Sequence, residues 1–112
     1  MNNLYNLEQL EDLFKEGNNS TFLIFKHSTT CPVSKQGYDA FQNFLSDNPD
    51  CQAYLVLVIE NRDVSNHIEE FSGIKHESPQ ALFFKGGKCV WNASHFAINK
   101  DELDKVYKSL VV

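Results

Sequence analysis

The sequence predicts an α/β fold in which a central mixed β-sheet carries helices on both faces. Strand-like and helical segments alternate along the chain, which requires parallel strands joined by right-handed crossovers. The last two strand-like segments are separated only by Gly86-Gly87, a two-residue hairpin loop that adds an antiparallel pair. The predicted order of elements is α-β-α-β-α-β-β-α, in a single domain over residues 1–112.

The first helix and the first strand are defined by their ends and by their apolar residues. Asn6 and Gln9 form a capping-box pattern ahead of leucines at helical spacing, and the cluster from Gly17 to Ser20 is expected to end the helix. Residues 21–26 (TFLIFK) are apolar at successive positions. This pattern is typical of a strand that is buried on both faces.

The middle of the chain continues the alternation. A helix is predicted from Pro32 to about Ser46, and residues 53–59 form a second apolar, β-branched strand. Residues 63–71 predict a short helix that Gly73 closes. Both faces of the sheet can be covered in this way.

The C-terminal third predicts a hairpin and a final helix. Residues 81–85 and 88–92 are expected to pair antiparallel, and Asn99 with Glu102 opens an amphipathic helix. This order of elements, with Cys31 directly before a helix and Ser78-Pro79 directly before the hairpin, is that of the thioredoxin fold.

Composition and charge exclude several classes of partner. Ten Lys and Arg against fifteen Asp and Glu give a net charge of −5, and Arg62 is the only arginine. Such an acidic chain lacks the basic surface that binds nucleic acid or anionic lipid. The longest apolar run, residues 53–59, is far shorter than the roughly 20 residues of a membrane span. Neither a nucleic acid nor a membrane is expected as a partner.

The N-terminal residues and the cysteines predict a cytoplasmic protein. The first residues show neither the basic nor the apolar region of a secretory signal. Cys31, Cys51 and Cys89 are too widely spaced for a zinc site and odd in number for a disulfide framework. We therefore expect reduced thiols, no metal site and no tightly bound cofactor. A monomer is the default, because nothing in the sequence indicates a stable dimer.

Cys31 is the predicted nucleophile. It lies between a strand and a helix, and Pro32 suits the first turn of that helix. The free N–H groups and the positive dipole end of a helix N-terminus stabilise a thiolate, which is the reactive form of cysteine. The polar residues 28–30 (STT) argue against burial in the core, the usual place of a free cysteine.

Two further residues complete the predicted site. Ser34 stands where a C-x-x-C motif has its second cysteine, so no internal disulfide can form there, but its hydroxyl can donate a hydrogen bond to the Cys31 thiolate. Ser34 is otherwise an ordinary polar residue of a first helical turn. Ser78-Pro79 lies where the thioredoxin fold has a cis-proline, and the extended backbone of Ser78 can pair with a bound peptide or thiol.

The remaining cysteines and two histidines are interpreted as structural or solvated. Cys51 begins a predicted strand and Cys89 lies within one, so both are expected to have packing roles. His27 and His76 flank the predicted site. A histidine in a loop is usually solvated, and we expect this of both.

Four blocks of sequence, in order along the chain, resemble the YtxJ-type monothiol bacilliredoxins, which are thioredoxin-like proteins of the bacillithiol system. The blocks are residues 27–34 (HSTTCPVS), 61–66 (NRDVSN), 76–80 (HESPQ) and 91–95 (WNASH). Phe96 departs from the pattern, in which a Trp follows Ser-His.

The resemblance implies that the protein removes bacillithiol from protein mixed disulfides, with Cys31 as the nucleophile, Pro32 and Ser34 beside it, and Pro79 as the cis-proline. Bacillithiol is then the thiol co-substrate, and bacillithiolated client proteins are the partners. The predicted substrate-binding residues besides Pro79 are Thr30, Arg62, Glu77, Ser78, Gln80, Trp91, Ser94 and His95. Each of these can instead hold a loop in place.

Two other functions stay open from the residues alone. The fold can serve as a redox-inactive adaptor or regulatory binding module, in which Cys31 accepts a thiol without transferring it. The enzyme can also resemble glutaredoxin and use glutathione, because the choice of a small thiol depends on a few groove residues.

Overall fold

A computed structural model describes residues 2–4, 6–16 and 21–111. The strands are β1 (Asn2–Asn3), β2 (Thr21–His27), β3 (Gln52–Leu57), β4 (Gln80–Lys85) and β5 (Lys88–Ser94). The helices are α1 (Leu7–Glu16), α2 (Pro32–Asp47), α3 (Arg62–Ser72) and α4 (Lys100–Val111), and a 3-10 turn covers His95–Ala97. The cluster from Gly17 to Ser20, predicted to end the first helix, lies outside the described residues.

The strands of the described chain form one mixed sheet in the order β1-β3-β2-β4-β5. Strand β2 lies at the centre, parallel to β3 and antiparallel to β4, and β4 pairs antiparallel with β5. The predicted mixed sheet is therefore confirmed. Strand β1 was not predicted, because two residues are too few to show a periodic pattern; it pairs parallel with β3.

Helices cover both faces of the sheet, as predicted. Alternate residues of β2 point to opposite sides, so Leu23 and Phe25 join one apolar cluster while Phe22 and Ile24 join the other. Helices α2 and α4 pack together over the first cluster, and α1 and α3 over the second. This alternation decides which loop each residue at the end of β2 can reach.

Most predicted ends of elements agree with the structure. Asn6 and Gln9 form the capping box reciprocally, with N···O distances of 2.9 and 3.2 Å. Gly86 and Gly87 have φ values of 62° and 79°, as a type I′ hairpin turn requires. Strand β3 ends two residues earlier than predicted, because the chain turns directly after Leu57, whose carbonyl accepts a hydrogen bond from Asn61 N–H at 2.8 Å.

Gly73 ends α3 in the left-handed region, with φ 73°, and its N–H donates to Glu69 O at 3.0 Å. A Cβ at this position would meet nothing within 4 Å. Any cost of adding a side chain here therefore comes from the backbone conformation rather than from a clash.

We expect Gly73→Ala to lower the free energy of unfolding by about 1 kcal/mol, since L-residues other than Asn and Asp rarely adopt this conformation. Gly73→Asn is the matched control and should cost less. Urea denaturation of the three proteins measures both effects. Equal stability of the alanine variant and the parent chain would contradict the left-handed end of α3.

Candidate active site

Cys31 is the N-cap residue of α2. Its backbone is extended, with φ −106° and ψ 122°, and its carbonyl accepts a hydrogen bond from Lys35 N–H at 3.1 Å. Pro32 is the first helical residue, and the Cys31 side chain is partly exposed. The predicted position is therefore confirmed: Cys31 lies at the N-terminus of a 16-residue helix, the positive end of the helix dipole.

Ser34 closes the loop that carries Cys31. Its side chain is fully buried, and its hydroxyl oxygen accepts a hydrogen bond from Ser28 N–H at 2.8 Å. The same oxygen lies 2.9 Å from His27 Nδ1. The partners of this hydroxyl are His27 and Ser28, and the hydrogen bond that it can donate to a Cys31 thiolate stays a prediction. Ser34 thus ties the end of β2 to the first turn of α2.

His27 is a buried partner of this loop and not the solvated residue that the sequence suggested. It is the last residue of β2, only 9% exposed, and its ring stacks on Tyr38 at a centroid distance of 4.7 Å. Burial lowers the pKa of His27, although the nearby Glu60 carboxylate and the bond to Ser34 oppose the shift. Burial thus favours the neutral form of the His27 imidazole.

The Ser78-Pro79 peptide bond is cis, as predicted. Pro79 is buried against α2 at Gly37, where an added Cβ would lie 3.4 Å from Pro79 Cβ and Cγ and from Phe25 Cζ. Pro79 O accepts a hydrogen bond from His95 N–H at 3.0 Å. The loop before β4, the first half of α2 and the end of β5 therefore meet at this proline.

The end of β5 brings more of the predicted residues to the same place. Ser94 is the last residue of β5, and the turn after it places His95 Nε2 3.6 Å from Glu77 Oε2. His95 has a φ of 53°, which is uncommon for a residue other than glycine. Phe96 follows it and is 73% exposed. The structure thus joins Ser94, His95 and Glu77 around Pro79.

Thr30 and Arg62 are exposed at the surface. Thr30 Oγ1 lies 3.2 Å from Ser28 Oγ, and Arg62 begins α3. Burial is the main cause of a lowered pKa at His76, and the charges of Lys26 and Arg62 lower it further. Arg62 therefore acts electrostatically on the loop that leads to the cis-proline.

Two predicted substrate-binding residues are placed in the interior or against the core. Gln80 is only 1% exposed, and its amide donates to Lys75 O at 2.9 Å, so it holds a loop and cannot meet a substrate in this arrangement. Trp91 packs on Phe83 at a centroid distance of 5.7 Å. It lies three residues before Ser94, about 10 Å along the strand. Its position indicates a packing role.

Lys26 is a buried residue that the sequence analysis did not single out. Its side chain is fully buried, and Nζ lies 3.0 Å from Ser65 O and 3.2 Å from His76 Nδ1. Burial lowers the pKa of Lys26 to about 8, although the Glu69 carboxylate opposes the shift. The sequence did contain an indication of this burial, because Lys26 ends a strand that is predicted to be buried on both faces.

The other two cysteines lie in or next to strands, as predicted. Burial raises the pKa of Cys51 to about 12, and it also raises the pKa of Cys89, whose thiol donates to Trp91 O at 3.5 Å. All three cysteines are free thiols. Among the residues described, no group of three or more His, Cys, Asp or Glu could hold a metal ion, and no helix is both long and apolar enough to cross a membrane.

Known proteins share the family pattern and the fold of this chain. The family described as monothiol bacilliredoxin BrxC matches residues 2–103. A solved structure of a candidate oxidoreductase with a thioredoxin fold is 38% identical, with a TM-score of 0.85, and the match covers 95% of this chain and 92% of the other.

Thioredoxins share the fold at lower sequence identity. A thioredoxin from Fasciola hepatica is 18% identical with a TM-score of 0.77, and the match covers 98% of this chain and 99% of that one. A thioredoxin from Nicotiana alata is 20% identical with a TM-score of 0.78, covering 97% and 90%. The predicted thioredoxin fold and the resemblance noted from the sequence are both confirmed.

We expect iodoacetamide to modify Cys31 first in the folded protein. Cys31 is partly exposed at a helix N-terminus, whereas burial keeps Cys51 and Cys89 protonated at pH 7. Peptide mass mapping after partial alkylation measures the order. Modification of Cys89 at the same rate as Cys31 would contradict the assignment of the nucleophile.

We expect Ser34→Ala to destabilise the protein by about 2 kcal/mol, because it leaves Ser28 N–H and the buried His27 Nδ1 without their shared partner. Ser28→Ala is the matched control, since it keeps the backbone N–H and removes only an exposed hydroxyl contact. Urea denaturation of both variants tests this. Equal losses would show that the loop is not held through Ser34.

Proposed function

Because the chain belongs to the monothiol bacilliredoxin family and is therefore a thiol–disulfide oxidoreductase, we propose that Cys31 removes bacillithiol from protein mixed disulfides. The observation that carries the proposal is the single thiol at the start of α2. The position that a dithiol enzyme uses for its second cysteine holds Ser34, whose hydroxyl is bonded to His27 and Ser28. The chemistry therefore has to run through one cysteine.

The proposed reaction consists of two thiol–disulfide exchanges. The Cys31 thiolate attacks the bacillithiol sulfur of the mixed disulfide, the disulfide bond to the client breaks, and the client leaves as a thiolate. Cys31 now carries bacillithiol in a new disulfide. A second bacillithiol thiolate then attacks the bound bacillithiol sulfur, which releases the bacillithiol disulfide and restores the Cys31 thiolate. Each step exchanges one disulfide for another, so no outside oxidant is needed.

The proposed groove for the mixed disulfide lies beside the cis-proline. The backbone of Ser78, directly before the cis-proline, can pair with the client, as a strand pairs at a sheet edge. Arg62 carries the planar guanidinium that grips a carboxylate with two hydrogen bonds, which suits the carboxylates of bacillithiol. The residues that we place around the groove are Thr30, Arg62, Glu77, Ser78, Pro79, Ser94 and His95. Gln80 is left out because it is buried, and Trp91 because it packs on the core.

The proposal also includes a location and a stoichiometry. A reductive thiol exchange suits the cytoplasm, where thiols are kept reduced. The proposed groove takes its residues from the N-terminus of α2, the start of α3, the cis-proline loop and the end of β5, all of one chain. One copy of the protein is therefore sufficient for the reaction.

The test is an intact-mass measurement on a client protein that carries bacillithiol as a mixed disulfide. The client is mixed with the parent protein, with Cys31→Ala, or with Cys89→Ala as the matched control for an unrelated thiol. We expect the client to lose bacillithiol, and one bacillithiol mass to appear, with the parent protein and with Cys89→Ala only. A parallel sample carrying glutathione should react more slowly.

The other outcomes separate the alternative functions. Equal rates with the glutathione sample would favour a glutaredoxin-like enzyme. A protein that accepts bacillithiol on Cys31 but leaves the client modified would be an adaptor. Transfer by Cys31→Ala would exclude Cys31 as the nucleophile.

A further inference from the structure

Lys26 forms a buried polar cluster that the thiol exchange does not use. It lies on the α3 face of the sheet, in register with Val56 and Gln80 of the neighbouring strands. Its ammonium group donates to Ser65 O at 3.0 Å and lies 3.2 Å from His76 Nδ1. Ser65 Oγ lies 3.0 Å from the same ring nitrogen. A side chain this polar is retained in an apolar layer only when its donors are engaged.

Only one of the two basic side chains in the cluster, Lys26 or His76, carries a positive charge. A protonated Lys26 has only donors, so the His76 Nδ1 that faces it must be unprotonated and act as the acceptor. Burial and the charges of Lys26 and Arg62 lower the pKa of His76 and so disfavour its imidazolium form. The charged groups around the pair are Glu69 and Arg62 of α3 and Glu77 of the loop. Lys26 therefore carries the charge, and His76 is held as a neutral acceptor.

The cluster holds residues 75–78, the loop that precedes the cis-proline. His76 N–H donates to Glu69 Oε1 at 2.8 Å, and Lys75 O accepts from the Gln80 amide at 2.9 Å. The loop is thus bonded to β2 through Lys26, to α3 through Glu69, and to β4 through Gln80. The His76 ring and the backbone of the loop are therefore held by different elements of the fold.

The same loop continues directly into the proposed groove. Glu77 follows His76 and faces His95, and Pro79 packs against Gly37 of α2. Between the clamped His76 and the packed Pro79 there are only two residues, Glu77 and Ser78. A displacement of His76 therefore moves the backbone of Ser78, where the mixed disulfide is proposed to pair.

We infer that Lys26 is a positioning residue: with Ser65 and His76 it forms a clamp that holds the cis-proline loop in the geometry needed to bind the mixed disulfide. The inference rests on the proposed function, because it assigns the loop to substrate binding. It concerns binding rather than thiol reactivity, since Lys26 and the Cys31 loop lie on opposite faces of β2.

The test compares four variants with the parent protein. Lys26→Met removes the ammonium group and keeps the apolar stem, and His76→Leu removes the acceptor. His76→Asn is the conservative variant, because the Asn oxygen can take the place of Nδ1. Ile24→Met controls for a changed apolar residue on the same face of β2. The measurements are kcat and KM with a bacillithiolated client, and the rate at which iodoacetamide alkylates Cys31.

We expect Lys26→Met and His76→Leu to raise KM about tenfold, the usual scale for losing a hydrogen bond to a charged group. Their kcat and alkylation rates should change less than about twofold, since the thiol itself is untouched. His76→Asn and Ile24→Met should keep KM within about twofold of the parent value. An unchanged KM in both Lys26→Met and His76→Leu, or an equal loss of alkylation, would overturn the inference.

The pH dependence gives a second readout that a merely structural role would not produce. Burial lowers the pKa of Lys26 from its ordinary value of 10.5 to about 8. Its ammonium group therefore loses the proton at a pH at which the kinetics can be measured. A neutral amine donates more weakly than an ammonium. KM of the parent protein should therefore rise as the pH passes about 8, relative to KM of Lys26→Met. Parallel profiles would count against the clamp.

Stability over the same range checks that the lysine variant is folded and that the charge is buried. The folded pKa lies below the unfolded one, so the parent protein should gain stability between pH 8 and 10.5 relative to Lys26→Met. Urea midpoints measure this difference. Identical slopes would show that Lys26 is solvated and would remove the basis of the inference.

Hydrogen exchange separates failure of the clamp from failure of the proposed function. The backbone amide of residue 76 should exchange faster in Lys26→Met and His76→Leu than in Ile24→Met and the parent protein. If the parent protein transfers no bacillithiol, the proposed function fails, while this exchange still decides whether the clamp exists. Unchanged exchange in both variants would overturn the clamp whatever the activity.

Discussion

The alternation of side chains at the end of β2 is the constraint on which the site depends. His27 points to the α2 face and, through the buried Ser34 hydroxyl, holds the loop that carries Cys31. Lys26, one residue earlier, points to the α3 face and bonds to His76 of the loop that carries Pro79. One strand end therefore fixes both walls of the proposed groove. Since the central strand is buried on both faces, neither anchor can move without disturbing the core.

This arrangement explains how a single thiol can work in a fold that elsewhere uses two. A second cysteine at position 34 would lie in the interior, where Ser34 is fully buried. The serine instead satisfies the Ser28 amide, a donor that the turn into α2 would otherwise leave unpaired. In the proposed reaction, the resolving thiol comes from solution. The partly exposed Cys31, at the rim of the groove, is where such a thiol can arrive.

The sequence predicted those features whose physical cause is local. A capping box, a Gly-Gly hairpin turn and a Cys-Pro pair at a helix start each depend on residues within a few positions of one another. It could not predict polar partners that are distant in sequence: Lys26 and His76 are 50 residues apart, and Lys26 and Ser65 are 39 apart. Gln80 shows the same limit, since a polar residue next to a site looks like a ligand contact until its burial is known.

The buried lysine is better understood as a requirement of the loop than of the core. Lys26 lies between Val56 and Gln80 on an apolar face, and a methionine or leucine there would fill the space without desolvating a charge. His76 Nδ1 of the loop and Ser65 O beside it, however, are polar atoms turned inward that an apolar side chain cannot bond. A lysine covers the apolar layer with its stem and reaches those groups with its ammonium. The lowered pKa of Lys26 is thus the consequence of fixing a polar loop over an apolar core.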